Sequence, residues 1–262
     1  MSIELVVAID QCPANVHGEQ ARLARLEETL LSCADKSVDL VIYPELFQCG
    51  YDMGERVYEC AETSDGRFFA AVSKLAKQYH TAVIYGYAER ARGSIYNSAQ
   101  CIDKTGNRIG HHRKLVLPPG SERQYFSSGE RCQIFTLGAV KVAVLICYDA
   151  EFAENVRQVA LNGADLVVVP TALGSQWGVV AEKVMATRAF ENGVFIGYAN
   201  YCEQDNTMAY YGGSCLISPS GADMARAGRE SQLLVAKLCI ADVTRAQSRL
   251  PYLQDRKHLN WL

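Results

Sequence analysis

The chain has 262 residues, 49% of them apolar, and a net charge of −3. That balance supplies material for a large core and excludes the basic surface that a binder of nucleic acid or anionic membrane needs. No apolar run approaches the roughly 20 residues that cross a bilayer, and ten cysteines without a CxxC pair fit a reducing compartment, so the expected location is cytoplasmic.

The opening run Met1 to Asp10 carries Glu4 and no basic segment, which predicts a first strand and no secretion signal. Gln11 to Asn15 is turn chemistry. From Gly18 to Ala34, the residues Leu23, Leu26, Leu30 and Ala34 recur at helical spacing and predict a helix over a strand that runs from Val38 to Glu45. Gln48 to Met53 reads as a loop. Ser64-Asp65-Gly66 offers an N-cap to a second helix whose apolar face is Phe68, Phe69, Val72, Leu75, Ala76 and Tyr79. Thr81–Tyr87 and Ile95–Ile102 read as strands joined by the Arg92-Gly93-Ser94 turn. Lys104 to Arg108 is a second tight turn. Leu117 to Gly129 is a long irregular segment, a length more often functional than not.

A strand through Val140–Ile146 ends at Cys147. Beyond it come a helix over Ala153–Leu161 expected to bury Phe152, Val156, Val159 and Ala160, a strand over Ala164–Pro170, a helix over Gln176–Asn192, and strands over Gly193–Asn200, Gly213–Pro219 and Gln232–Leu238. No linker, repeat or low-complexity segment interrupts residues 1–262, so a single domain of layered α/β type with mixed sheets is expected.

Three places gather chemistry. In α/β sheets ligands meet the carboxyl ends of strands, and a cysteine ending an apolar run stands there. A free cysteine is commonly a small core residue, so Cys147 needs a base and a cation nearby to be more than that. Glu45 closes a similar apolar run after Tyr43-Pro44, and Lys114 adjoins Leu115-Val116-Leu117. His111, His112 and Arg113 read as a solvated basic run. Trp177 and the Thr171–Gly178 loop are candidates to line a pocket. Arg188, on a helix face shared with Ala181 and Trp177, needs a buried partner. Neither the five histidines nor the cysteines stand at metal-ligand spacing, so no metal and no organic cofactor is expected.

Tyr43-Pro44-Glu45-Leu46-Phe47, His112-Arg113-Lys114-Leu115 and Cys147-Tyr148-Asp149-Ala150-Glu151-Phe152 together resemble the triad motifs of the nitrilase (carbon–nitrogen hydrolase) superfamily. Gly120 to Gly129 resembles that family's second-glutamate loop and points to Glu122. Pro170-Thr171-Ala172, Arg188 to Asn192, Gly212-Gly213-Ser214 and Pro251 to Arg256 match further landmarks, while Ala153 departs from a proline in the motif. The resemblance implies a four-layer α-β-β-α sandwich with two mixed sheets, paired through helices into a homodimer. It implies Glu45 as general base, Lys114 holding the oxyanion and the thiol as an anion, Glu122 in support, Cys147 as nucleophile and the Tyr148 N–H as second oxyanion donor. It also implies hydrolysis of a small aliphatic carboxamide. Ile84 to Arg90, Tyr96-Asn97-Ser98 and Ala199 to Cys202 resemble the branch acting on ω-amino amides such as 5-aminopentanamide. Rival readings are an N-carbamoyl amine or amino-acid hydrolase, then a nitrilase, and, in a different class, an inactive dimeric binding scaffold.

Overall fold

The computed structural model describes residues 3–205 and 208–259. Met1 and Ser2, where the first strand was expected to begin, lie outside the described residues. Twelve strands are present among the described residues: β1 (Glu4–Gln11), β2 (Leu40–Ile42), β3 (Ala82–Ala91), β4 (Ser94–Ile102), β5 (Arg108–Arg113), β6 (Ile134–Leu137), β7 (Val140–Val144), β8 (Leu166–Pro170), β9 (Phe195–Ala199), β10 (Cys215–Ile217), β11 (Asp223–Arg226) and β12 (Gln232–Cys239). They form two six-stranded sheets, ordered β12-β1-β2-β3-β4-β5 and β11-β10-β9-β8-β7-β6. In the first, β1, β2 and β3 run parallel and the flanking pairs antiparallel. In the second, β7, β8 and β9 are the parallel centre. Both sheets are therefore mixed, and both repeat one pattern of directions.

Side chains explain the layering. Val7, Ile9, Ile42, Ile84, Ala99 and Cys101 of the first sheet pack directly on Val142, Val144, Leu166, Val168 and Phe195 of the second. The opposite face of the first sheet, with Val41, Tyr43, Val83 and Tyr85, takes Leu26 and Leu30 of the helix Glu19–Cys33 and Phe68, Val72 and Ala76 of the helix Arg67–Tyr79. The far face of the second sheet takes Val156, Val159 and Ala160 of the helix Ala153–Leu161 with Met185 and Ala189 of the helix Met185–Asn192. The result is the four-layer α-β-β-α sandwich. No helix among the described residues is long and apolar enough to cross a membrane.

Local departures from the sequence reading have physical causes. β2 stops at Ile42, so Glu45 stands in a turn beyond the strand. The helix Arg67–Tyr79 is capped by the carboxylate of Glu62, which accepts from Phe68 N (3.1 Å) and Phe69 N (3.4 Å), and by neither Ser64 nor Asp65. The expected helix over Gln176–Asn192 is a 3₁₀ turn at Ser175–Trp177, a π turn at Val180–Val184 and an α-helix from Met185. Gly178, between the two turns, keeps helical dihedrals (φ −51, ψ −26), and a Cβ there would meet the Tyr211 ring at 2.1 Å. Phe152 is exposed, stacked edge-on against Tyr148. β5, β6, β11 and the helix Ala241–Arg249 went unpredicted. In β5 the inward positions hold Gly110 and His112, so no apolar alternation marks the strand; Gly110 is small because the Phe135 ring fills the space where its Cβ would point.

Candidate active site

Glu45 is set by a sharp bend. Tyr43 N donates to Ile84 O (2.9 Å) and Gln48 N to Gly86 O (3.0 Å), so the chain leaves and rejoins the edge of β3 around the turn that holds Glu45. Leu46 adopts φ +50, a left-handed conformation that costs a non-glycine residue roughly 1–3 kcal/mol. The bend presses on β3 at Gly86, where an added Cβ would lie 2.3 Å from Leu46 N and 2.9 Å from Glu45 Cα. Gly86→Ala is therefore expected to push the bend off β3, destabilising the fold by about 1–3 kcal/mol and displacing the Glu45 carboxylate. Thermal unfolding beside turnover checks this; an unchanged midpoint would show that the bend can yield.

Lys114 follows β5 and is held by its backbone, donating N–H to Asn97 O (2.8 Å) and accepting from Gly129 N (2.7 Å). Its ammonium is fully buried and donates to Glu45 Oε1 and to Glu122 Oε1, both at 2.6 Å. Glu122 lies in the first turn of the short helix Ser121–Tyr125. Asn97 of β4 bridges the carboxylates through Nδ2, at 2.7 Å from Glu45 Oε1 and 3.2 Å from Glu122 Oε2. Tyr51 OH donates to Glu122 Oε1 (2.7 Å), and Tyr201 OH donates to the Glu45 carbonyl (2.9 Å). The second carboxylate oxygen of Glu45, Oε2, is buried without a hydrogen-bond partner.

Cys147 opens a 3₁₀ turn, Cys147–Glu151, at the end of β7, and it too is left-handed, at φ +46. Its half-buried thiol feels the charges of Glu45 and Lys114 and is bordered by Thr171 and Ala172. Thr171 also accepts a bond from Glu45 N (3.4 Å), so one buried residue joins the Glu45 bend to the thiol's surroundings. Tyr148 is next in the turn and half-buried.

The electrostatics follow from burial. Desolvation pushes the Glu45 carboxyl up to about 7; the positive charge of Lys114 opposes this and the charge of Glu122 adds to it. Burial alone would lower Lys114, but Glu45 and Glu122 reverse that and hold it firmly charged. Burial, reinforced by Glu45, raises the Cys147 thiol well above its ordinary value, and Lys114 only partly offsets the rise. Lys114 thus favours the anionic form of the thiol, and burial together with Glu45 acts against it.

The basic run is also corrected. His112 is fully buried on Asp149, at 3.0 Å, while Arg113 and His111 are half-buried on Glu89, with Arg113 making two bonds of 2.6 and 2.8 Å. Trp177 is exposed on its short turn, so its indole is no core residue. Arg188 finds its partners in Glu191 (3.1 Å) and the carbonyl of Glu151 (2.7 Å). Asn97, Tyr51 and Tyr201 join the site without having been expected there. For Asn97 a signal existed: it shares the inward face of β4 with Ala99 and Cys101, where an amide needs partners.

A family model described as carbon-nitrogen hydrolase matches residues 6–248. A hydrolase in the pqqF 5′ region of Pseudomonas protegens is 37% identical over 96% of this chain and 88% of its own length. An (R)-stereoselective amidase of a Pseudomonas species is 32% identical over 98% of this chain and 92% of that protein. Among solved structures, the Nesterenkonia sp. AN1 amidase in complex with butyramide superimposes with a TM-score of 0.87 at 28% identity, covering 98% of this chain and 97% of the amidase. The same amidase has been seen with the acetamide moiety of fluoroacetamide covalently added at its active-site cysteine. Likeness of this extent, along nearly the whole length and in the layering of both sheets, makes the chain an enzyme of the carbon–nitrogen hydrolase family.

Proposed function

We propose that the enzyme hydrolyses short aliphatic carboxamides to the acid and ammonia through a thioester on Cys147. The observation that carries the reading is the buried Glu45–Lys114–Glu122 cluster beside the thiol, with Glu45 Oε2 unpartnered and its carboxyl poised near neutrality. In the first half-reaction Glu45 takes the thiol proton as sulfur attacks the amide carbon. An ammonium has three donors and Lys114 commits two to carboxylates, which leaves one for the oxyanion together with the Tyr148 N–H. The C–N bond then breaks, Glu45 gives its proton to the departing ammonia, and water activated by the same carboxylate releases the acid. Glu122 fixes the direction of the Lys114 ammonium and offers an acceptor to the amide nitrogen. Thr171 borders the reacting sulfur, and Trp177, exposed on the turn that follows Thr171, remains a candidate for substrate contact.

For the substrate class, support comes from the likeness to an (R)-stereoselective amidase and to an amidase seen with butyramide; the cleft beside Glu122, walled by Tyr51, Met53, Val57, Tyr125 and Phe126, has only about 10 Å³ of free space. The finer reading, an ω-amino amide such as 5-aminopentanamide, rests on Glu151, a half-buried carboxylate four residues past Cys147 that burial raises while Lys114 and Arg188 draw it back. A homodimer in the cytoplasm completes the proposal, supported by exposed Phe152, Phe190 and Tyr252 around the outer helices. The test is ammonia release from a panel of short amides with and without a terminal amino group, beside matched N-carbamoyl compounds and nitriles, with sedimentation velocity on the same preparation. Amides are expected first. Equal turnover of amino and plain amides would remove the ω-amino preference, turnover confined to carbamoyl compounds would replace the amidase reading, and a monomer would remove the dimer.

A further inference from the structure

Apart from the carboxylate–lysine cluster, the Asp149 carboxylate is a heavily committed polar group. It is fully buried and accepts four hydrogen bonds: from Leu115 N (3.0 Å) and Val116 N (2.8 Å) at Oδ1, and from His112 Nε2 (3.0 Å) and Ile146 N (3.2 Å) at Oδ2. The donors come from both sheets. His112 lies on β5 and Leu115 and Val116 follow Lys114, whereas Ile146 immediately precedes Cys147 at the end of β7. The Asp149 backbone closes the nucleophile's own turn, with its N–H on Ile146 O (2.9 Å) and its carbonyl accepting from Asn155 Nδ2 (2.9 Å).

His112 gives this link a second arm. It stands two residues before Lys114, and side chains two apart in extended chain leave from the same face. Lys114 thus reaches Glu45 and Glu122 while His112 reaches Asp149. The imidazole is as buried as its partner, and its Nδ1 has no hydrogen-bond partner, so the bond to Asp149 is what offsets its desolvation. A carboxylate accepting at Oδ2 calls for the proton on His112 Nε2.

We propose that Asp149 and His112 form a positioning unit that fixes where the Cys147 thiol and the Tyr148 N–H stand relative to Lys114, by tying the end of β7 to the chain that leaves β5. The inference rests on Cys147 being the nucleophile of the proposed reaction. Asp149 is a poor probe, because removing its carboxylate strands four N–H groups at once, those of His112 and Ile146 buried and those of Leu115 and Val116 part-buried. His112 is the better one: His112→Leu removes a single arm, and His112→Gln restores an N–H donor at similar reach.

The experiment measures kcat and KM on a short aliphatic amide, with kcat expressed per Cys147 thiol that iodoacetamide alkylates, the site being read by peptide mass spectrometry. His112→Leu is expected to keep nearly full alkylation and KM within about threefold while kcat per thiol falls about 10–100-fold, the usual cost of losing a group that orients reacting ones. His112→Gln is expected to return to within about fivefold of the parent. A His112→Leu protein that loses only melting temperature or alkylatable fraction, with kcat per thiol unchanged, would overturn the proposal, and so would a His112→Gln variant no better than His112→Leu. Should the parent protein release ammonia from no amide, the proposed reaction fails by itself. The alkylation rate of Cys147 then decides, expected about tenfold slower in His112→Leu and recovered in His112→Gln, and unchanged if the unit positions nothing.

Discussion

Cys147→Ala and Cys147→Ser are expected to abolish ammonia release while both variants melt close to the parent. Each swap trims or exchanges one small group at the end of β7 and leaves the Asp149 bonds that hold the turn in place. Loss of a nucleophile costs on the order of 10⁴–10⁶-fold in kcat, because the steps it divides must otherwise occur as one. Serine is no substitute here: its hydroxyl is a weaker acid than a thiol, and this site, by burial and by the charge of Glu45, already disfavours an anion at that position. Turnover above about one per cent of the parent in either variant, once contamination is excluded by mass spectrometry, would remove Cys147 from the reaction.

Lys114→Arg is expected to be almost as inactive as Lys114→Ala. The two bonds of 2.6 Å place a compact ammonium between Glu45 and Glu122 in a space closed to solvent. A planar guanidinium is larger and directs its donors in a fixed fork, so it must displace one carboxylate or project into the space of the tetrahedral carbon. In Lys114→Ala, two buried carboxylates face each other with no cation between them, a loss of roughly 3–5 kcal/mol for a broken buried pair. The alanine variant should therefore lose both stability and activity, and the arginine variant chiefly activity. Parallel kcat and thermal-melt measurements separate these outcomes, and a Lys114→Arg enzyme within tenfold of the parent would place the oxyanion elsewhere.

Glu45, Lys114 and Cys147 were legible because each interrupts or ends an apolar run, a contrast that a single segment displays. The sheets were legible where alternation or β-branched runs were unbroken, as in β3 and β8. Asn97, Tyr51 and Tyr201 were not, since their meaning lies in the pairing of segments far apart: Asn97 acquires its role only when β4 is placed between β3 and β5, and Tyr201 only when the chain beyond β9 returns beneath the Glu45 bend. His112 was misread for the same reason. Its neighbours in sequence are polar, but its neighbour in space is a buried aspartate supplied by the other sheet. β5 escaped notice because its inward positions are a glycine and a histidine.

The closure of the first sheet by β12 bears on how the chain is made. Glu4 pairs with Cys239 and Gln11 with Gln232, so β1 leaves the ribosome more than two hundred residues ahead of the strand it pairs with. The Gln11 side chain adds to the delay, for it is satisfied only when it meets Ser214 N and the carbonyls of Gly228 and Glu230. During synthesis β1 can pair with β2, but its other edge stays open, and an open edge invites association with other nascent chains. Contacts between such distant segments also pay their loop-closure entropy late, which slows folding. Completion of the first sheet is thus deferred until Gln232–Cys239 has emerged, and a ribosome that stalls before Gln232 releases a chain whose first sheet cannot be completed.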